Sequence, residues 1–81
     1  MSREEILQLI GSCTREVLTD LATHQFVSTD RLADLGANSV DRAEIVMMTV
    51  EKLSLQIPRT EVFGPRNIGE LADLLHAKMS A

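Results

Sequence analysis

Along the first 21 residues, the apolar side chains Ile6, Leu9, Ile10, Cys13, Val17 and Leu21 recur at steps of three and four. That is the period of one face of an α-helix, and it leaves Glu4, Gln8, Arg15 and Glu16 on the solvated side. Ser2 followed three residues later by Glu5 is a capping-box pattern, in which hydroxyl and carboxylate each take a free backbone N–H at a helix start. A chain that opens with so long a one-sided helix has to cover that stripe with other elements.

The period fails from Ala22 to Asn38, where Thr23, Ser28, Thr29, Asp30, Asp34, Gly36 and Asn38 supply turn-forming residues. Leu32 and Leu35 are expected to tie this long loop to the core. A loop of this length in a small domain more often serves a function than not, which draws attention to its end at Gly36-Ala37-Asn38-Ser39. Val40 to Leu53 has no Gly or Pro, carries Asp41 and Glu44 in its first turns and Lys52 near its end, and reads as a second helix. Pro58 suits the first turn of a short third helix through Phe63, with Gly64-Pro65 as its stop. Asn67 and Glu70 repeat the capping pattern ahead of Ile68, Leu71, Leu74, Leu75 and Met79. With no strand pattern or repeat, the expectation is an all-α, small four-helix bundle of three longer helices plus a short third.

At 81 residues there is room for one core, so residues 1–81 are expected to form a single domain. Its only aromatic rings besides histidine are two phenylalanines, which makes that core aliphatic. A net charge of -4 argues against a phosphate-neutralising nucleic-acid surface. The polar, acidic start is unlike a signal peptide, and no apolar run approaches membrane-spanning length, so a soluble, cytoplasmic, monomeric protein is the expectation. Cys13 sits among apolar helix residues and reads as a small core hydrophobe, with no neighbouring base to make it reactive.

Little in the chain suggests self-contained catalysis. His24 and His76 lack Cys or carboxylate neighbours at metal-ligand spacing and read as surface residues. The four glycines are scattered through unrelated elements, so no phosphate-cradling loop forms. A serine nucleophile needs a nearby base and a pocket that this small chain is poorly equipped to build.

Ser39 stands where the long loop meets the second helix, in Leu35-Gly36-Ala37-Asn38-Ser39-Val40-Asp41. Local physics favours a plain helix cap for this serine. Asn38 can take that role, however, leaving the Ser39 hydroxyl at the positive end of the helix, where a phosphodiester is electrostatically welcome. The helix is also apolar on more than one side. Ile45, Val46 and Leu53 form one cluster, while Val40, Ala43, Met47 and Val50 make a second row beside Glu44 and Glu51. Either this second row is an exposed contact strip, or both rows are buried around a small core.

Leu35-Gly36-x-x-Ser39-Val40-Asp41, after a long loop and before an acidic helix, resembles the attachment motif of acyl carrier proteins. The likeness runs through the element order, Ile57-Pro58 before the short helix, and Asn67-Ile68-Gly69-Glu70-Leu71-Ala72. It implies that Ser39 carries 4′-phosphopantetheine, donated from coenzyme A by a phosphopantetheinyl transferase, and that the arm's thiol holds an acyl thioester. The protein is then a carrier and not an enzyme, with Val40, Asp41, Arg42, Glu44, Met47 and Val50 as partner-recognition residues. Asn38 departs from the Asp common before the serine, which puts transferase preference in question. Arg42 and Val50 depart from an acidic surface and are expected to narrow the set of partners.

Asn38-Ser39-Val40-Asp41-Arg42-Ala43-Glu44-Ile45-Val46-Met47-Met48 and Leu53-Ser54-Leu55-x-Ile57-Pro58-Arg59 further resemble the free-standing donor carriers of polyketide β-branching cassettes. That resemblance implies malonyl loading by an acyltransferase, decarboxylation to acetyl by a ketosynthase-like enzyme, and delivery to a 3-hydroxy-3-methylglutaryl (HMG) synthase homologue. A general fatty-acid, polyketide or peptidyl carrier, or an unmodified helical interaction domain, remain the alternatives.

Overall fold

The computed structural model describes residues 1–80. In chain order it contains α1 (Arg3–Val17), a single 3₁₀ turn (Thr19–Leu21), α2 (Ser39–Lys52), α3 (Arg59–Val62) and α4 (Ile68–Ser80). This is the expected all-helical bundle, with the long connection between the first two helices and no strand among the described residues.

The capping box at the start of α1 is present in both directions: Glu5 N–H donates to Ser2 Oγ at 3.1 Å and Ser2 N–H to Glu5 Oε1 at 2.9 Å. α1 packs against both α2 and α4. Ile6, Ile10 and Cys13 of α1 meet Ile45 of α2 and Ile68 and Leu75 of α4 in a fully buried aliphatic centre. The buried face of α1 is rotated from the expected stripe. Leu7, Gly11 and Thr14 are buried while Leu9 and Val17 are only partly so, and Leu21 lies beyond the helix in the 3₁₀ turn. The cause is that α1 has a neighbour on two sides, so its apolar arc is wider than a single stripe.

Arg15 also departs from its expected place. It is half-buried, its Nη2 donates to the His24 carbonyl at 2.7 Å, and its guanidinium lies 4.9 Å from the centre of the Phe26 ring. His24 is likewise engaged: Nε2 stands 2.9 Å from Asp30 Oδ2, and its ring meets Phe26 edge-on at 4.7 Å. Phe26, from the middle of the loop, is buried against α1. Only glycine at position 11 permits this, since a Cβ there would lie 2.7 Å from the Phe26 ring.

The long loop is thus a set of tethered turns. Leu32 is buried and Leu35 partly buried, as their spacing suggests. The Ile68 and Gly69 N–H groups, which have no partner inside α4, donate to the carbonyls of Asp30 and Ser28, both at 2.9 Å. The loop is therefore stitched across the start of α4, where a Cβ at Gly69 would come within 2.6 Å of the Ser28 carbonyl. α3 is one turn long, and Pro58 precedes it as the cap residue in place of entering its first turn.

Candidate functional site

The site is built by the turn that delivers the loop into α2. Gly36 has φ +102°, a left-handed conformation that L side chains resist. The chain reverses there, with Ala37 N–H donating to the Leu32 carbonyl at 3.0 Å and the Ala37 side chain packed into the core. Anchoring Ala37 fixes where α2 begins.

Asn38 then caps the helix. Its Oδ1 accepts from Asp41 N–H at 2.8 Å, and its own N–H donates to Asp41 Oδ2 at 3.2 Å. Ser39 is consequently the first residue of α2, exposed and without a capping duty. Arg42, half-buried one turn later, donates from Nη1 to the Ala37 carbonyl at 3.0 Å and places Nη2 3.4 Å from Ser39 Oγ. A guanidinium stays protonated and cannot serve as a general base, so this neighbour does not activate Ser39 for nucleophilic attack. It raises the positive potential already present at the helix start.

The two apolar rows of α2 resolve unequally. Ile45, Val46, Thr49 and Val50 are buried, so Val50 belongs to the core and not to the expected contact strip. At about 100° per residue, position 50 is carried round from the line through positions 40 and 47. The exposed strip consists of Val40, 72% exposed, and Met47, 36% exposed, flanked by the exposed acids Glu44 and Glu51. Ala43 and Asp41 are half-buried at its edge. Arg42 turns inward to the loop and Ser39, away from the position of a free surface cation.

Phe63, the residue that ends α3, is an exposed apolar ring that the sequence reading passed over. Its place directly before Gly64-Pro65 marks it, since a residue at the stop of a one-turn helix has little core to enter. It borders a cavity of about 460 Å³ whose walls include Arg31, Leu32, Arg42, Val46 and Ile68. Arg42 therefore lines this cavity and approaches Ser39 at once. Among the described residues no three potential metal ligands gather, and no helix is long and apolar enough to cross a membrane.

Residues 6–75 match the family described as "Phosphopantetheine attachment site". The chain is 47% identical over 81 residues to the polyketide biosynthesis acyl-carrier protein AcpK of Bacillus subtilis, covering 100% of this chain and 99% of that one. It is 33% identical over 78 residues to an acyl carrier protein of Prochlorococcus marinus, covering 96% and 98% respectively. In three dimensions it is similar to a chain from the crystal structure of the curacin biosynthetic pathway HMG synthase in complex with acetyl donor-ACP. There the TM-score is 0.91 and the identity 52%, over 96% of this chain and 100% of the other.

Proposed function

The chain belongs to the phosphopantetheine-attachment family of acyl carrier proteins, which hold 4′-phosphopantetheine covalently, and on that premise we propose that Ser39 is the attachment point. One observation carries this reading: Asn38 takes the cap, so an exposed hydroxyl is left at the positive end of α2. The residues present fit the group. The helix start and Arg42 offset the negative charge of a phosphodiester, and Ser39 stands exposed just beyond the Gly36 turn. When bound, the arm supplies a thiol that carries an acyl group as a thioester.

The same reading makes the chain a carrier whose chemistry is done by others, a single cytoplasmic domain acting as a monomer and as a covalent substrate. Val40, Asp41, Glu44 and Met47 form the face that partners read, an apolar strip edged by acids that suits a partner with an apolar patch and basic rim. The likeness to the chain from the HMG synthase complex supports a narrower role, as the acetyl donor to an HMG-synthase homologue in polyketide β-branching. A phosphopantetheinyl transferase, an acyltransferase and a decarboxylating ketosynthase-like enzyme are its other partners in that scheme.

Co-expression with a broad-specificity phosphopantetheinyl transferase, followed by intact-mass measurement, tests the attachment. One added phosphopantetheinyl unit that disappears in Ser39→Ala is expected, and a unit that survives the substitution overturns the assignment. Acetyl transfer from the loaded protein to an HMG-synthase homologue tests the donor role. Loading without transfer leaves a general carrier.

A further inference from the structure

Half of the eight lysines and arginines of this acidic protein are held elsewhere. Arg3 pairs with Asp73, Lys52 with Glu16 at 3.0 Å and Lys78 with Glu61 at 2.5 Å, while Arg15 holds the His24 carbonyl. Arg42 differs. Its Nη1 is fixed on the Ala37 carbonyl, a backbone group itself anchored in the core, which leaves Nη2 directed to Ser39 Oγ with no carboxylate within ion-pair distance among the described residues. Arg31 and Arg66, also without an ion-pair partner among the described residues, line the cavity that Arg42 lines. Asp41, the nearest acid along α2, is occupied with the Asn38 N–H, and Asp34 is the acid on the cavity wall. In a chain of net charge -4, three of the eight lysines and arginines thus line one cavity, and one of them reaches Ser39.

Building on Ser39 as the attachment point, we propose that Arg42 is a positioning residue that clamps the phosphodiester of the arm and turns the arm's root toward the cavity between the long loop, α2 and α3. A group joined to Ser39 Oγ brings its non-bridging oxygens within reach of Nη2 without any change in the Arg42 rotamer. The side chain is held beforehand by the Ala37 carbonyl, so little of its freedom remains to be lost when the charge-assisted bond forms. Because Arg42 stands between Ser39 and the cavity, an arm held there leaves the serine on the Phe63 side and not along the exposed face of α2. Arg31 and Arg66 add a potential of the same sign on the cavity walls.

Thermal unfolding of apo and holo forms of the wild type, Arg42→Lys and Arg42→Gln, each verified by mass to carry one arm, tests this. Comparing apo with holo within each variant cancels whatever Arg42 contributes to the fold alone. In the wild type, attachment is expected to raise Tm by about 3 °C at low salt, and the gain is expected to shrink near 1 M salt, where the screening length falls to about 3 Å. Arg42→Lys is expected to retain part of the gain and Arg42→Gln none. Amide resonances of Phe63 and Ile68 are expected to shift on attachment in the wild type and to stay in place in Arg42→Gln. An equal gain in Arg42→Gln, or a wild type with neither gain nor shifts, overturns the clamp. Failure to gain the arm on Ser39 would instead remove the reading on which it rests.

Discussion

Asn38 and Asp41 hold each other's backbone at the start of α2: the Asn38 side chain accepts the Asp41 N–H at 2.8 Å, and the Asp41 carboxylate accepts the Asn38 N–H at 3.2 Å. With two of the free donors of the helix satisfied reciprocally, the serine between them is released from the task its position would ordinarily give it. Asn38→Ala is expected to cost about 1 kcal/mol in urea unfolding. Ser39→Ala is expected to cost less than about 0.5 kcal/mol, because the hydroxyl is exposed and caps nothing. An equal loss in both would show that Ser39 shares the cap.

Gly36 tests the other half of that geometry. A methyl group there meets no atom within 4 Å, so any penalty for Gly36→Ala comes from holding alanine at φ +102° and not from a clash. A destabilisation of about 1–2 kcal/mol is expected. The attachment rate at Ser39 should fall as well, since a relaxed turn no longer fixes Ala37 and the start of α2. A stability change below the error of the unfolding measurement would mean that the backbone strain is not borne by this residue.

Much of this was legible in the sequence because the deciding interactions are local. The Ser2–Glu5 box, the cap at Asn38, the stop at Gly64-Pro65 and the apolar step of α4 each depend on residues within about one turn of each other. What escaped depends on distant partners. Phe26 sits in an unpatterned loop, and its burial is decided by Gly11 on another element. Arg15 has the spacing of a solvated residue, yet it is drawn in by the His24 carbonyl and the Phe26 ring. Val50 shares a spacing with Val40 and Met47, but helical rotation and the position of α1 place it in the core. The junction of the loop with α2 at Ser39 was legible as a position, while the inward turn of Arg42 was not, because no local pattern encodes its bond to the Ala37 carbonyl.

The end of α2 offers a stabilising change. Ser54 lies at φ 55°, and the N–H groups of Ser54 and Leu55 return to the carbonyls of Glu51 and Val50 at 3.0 and 3.1 Å. This is the left-handed closing turn that usually employs glycine. Ser54→Gly relieves the cost of that conformation but gives the unfolded chain more freedom, so a net gain of about 0.5 kcal/mol is expected from the urea midpoint. A loss would show that the serine side chain contributes more than its backbone costs.

Acid should act on the first turn of α1. Hydrogen bonds from the Ser2 backbone and then from its side chain lower the Glu5 pKa below the ordinary carboxylate value. The folded-state pKa is the lower one, so the capping contribution is complete above the unfolded-state pKa of the glutamate and is lost as pH falls through the depressed folded value. Glu5→Gln is therefore expected to lower stability modestly at neutral pH, where the charged cap is complete, and to leave the acid end little changed, so that the acid limb is flatter. Parallel acid limbs in the two proteins would assign the acid sensitivity elsewhere.

The division of α2 into a buried and an exposed row makes the last prediction a contrast between residues of similar chemistry. Val50→Ala removes buried methyl groups from the face that meets α1 and is expected to destabilise by about 2 kcal/mol, with acetyl transfer unchanged at temperatures where the protein stays folded. Val40→Ser with Met47→Ser removes apolar surface that is already in water, so a stability change within about 0.5 kcal/mol is expected. In the proposed donor role, transfer to an HMG-synthase homologue should nonetheless fall about tenfold in kcat/KM, the equivalent of about 1.4 kcal/mol of lost partner contact. Steady-state transfer and urea unfolding on the same preparations separate the two effects. If the double serine variant transfers normally, the strip beside Ser39 is not the surface that the synthase reads.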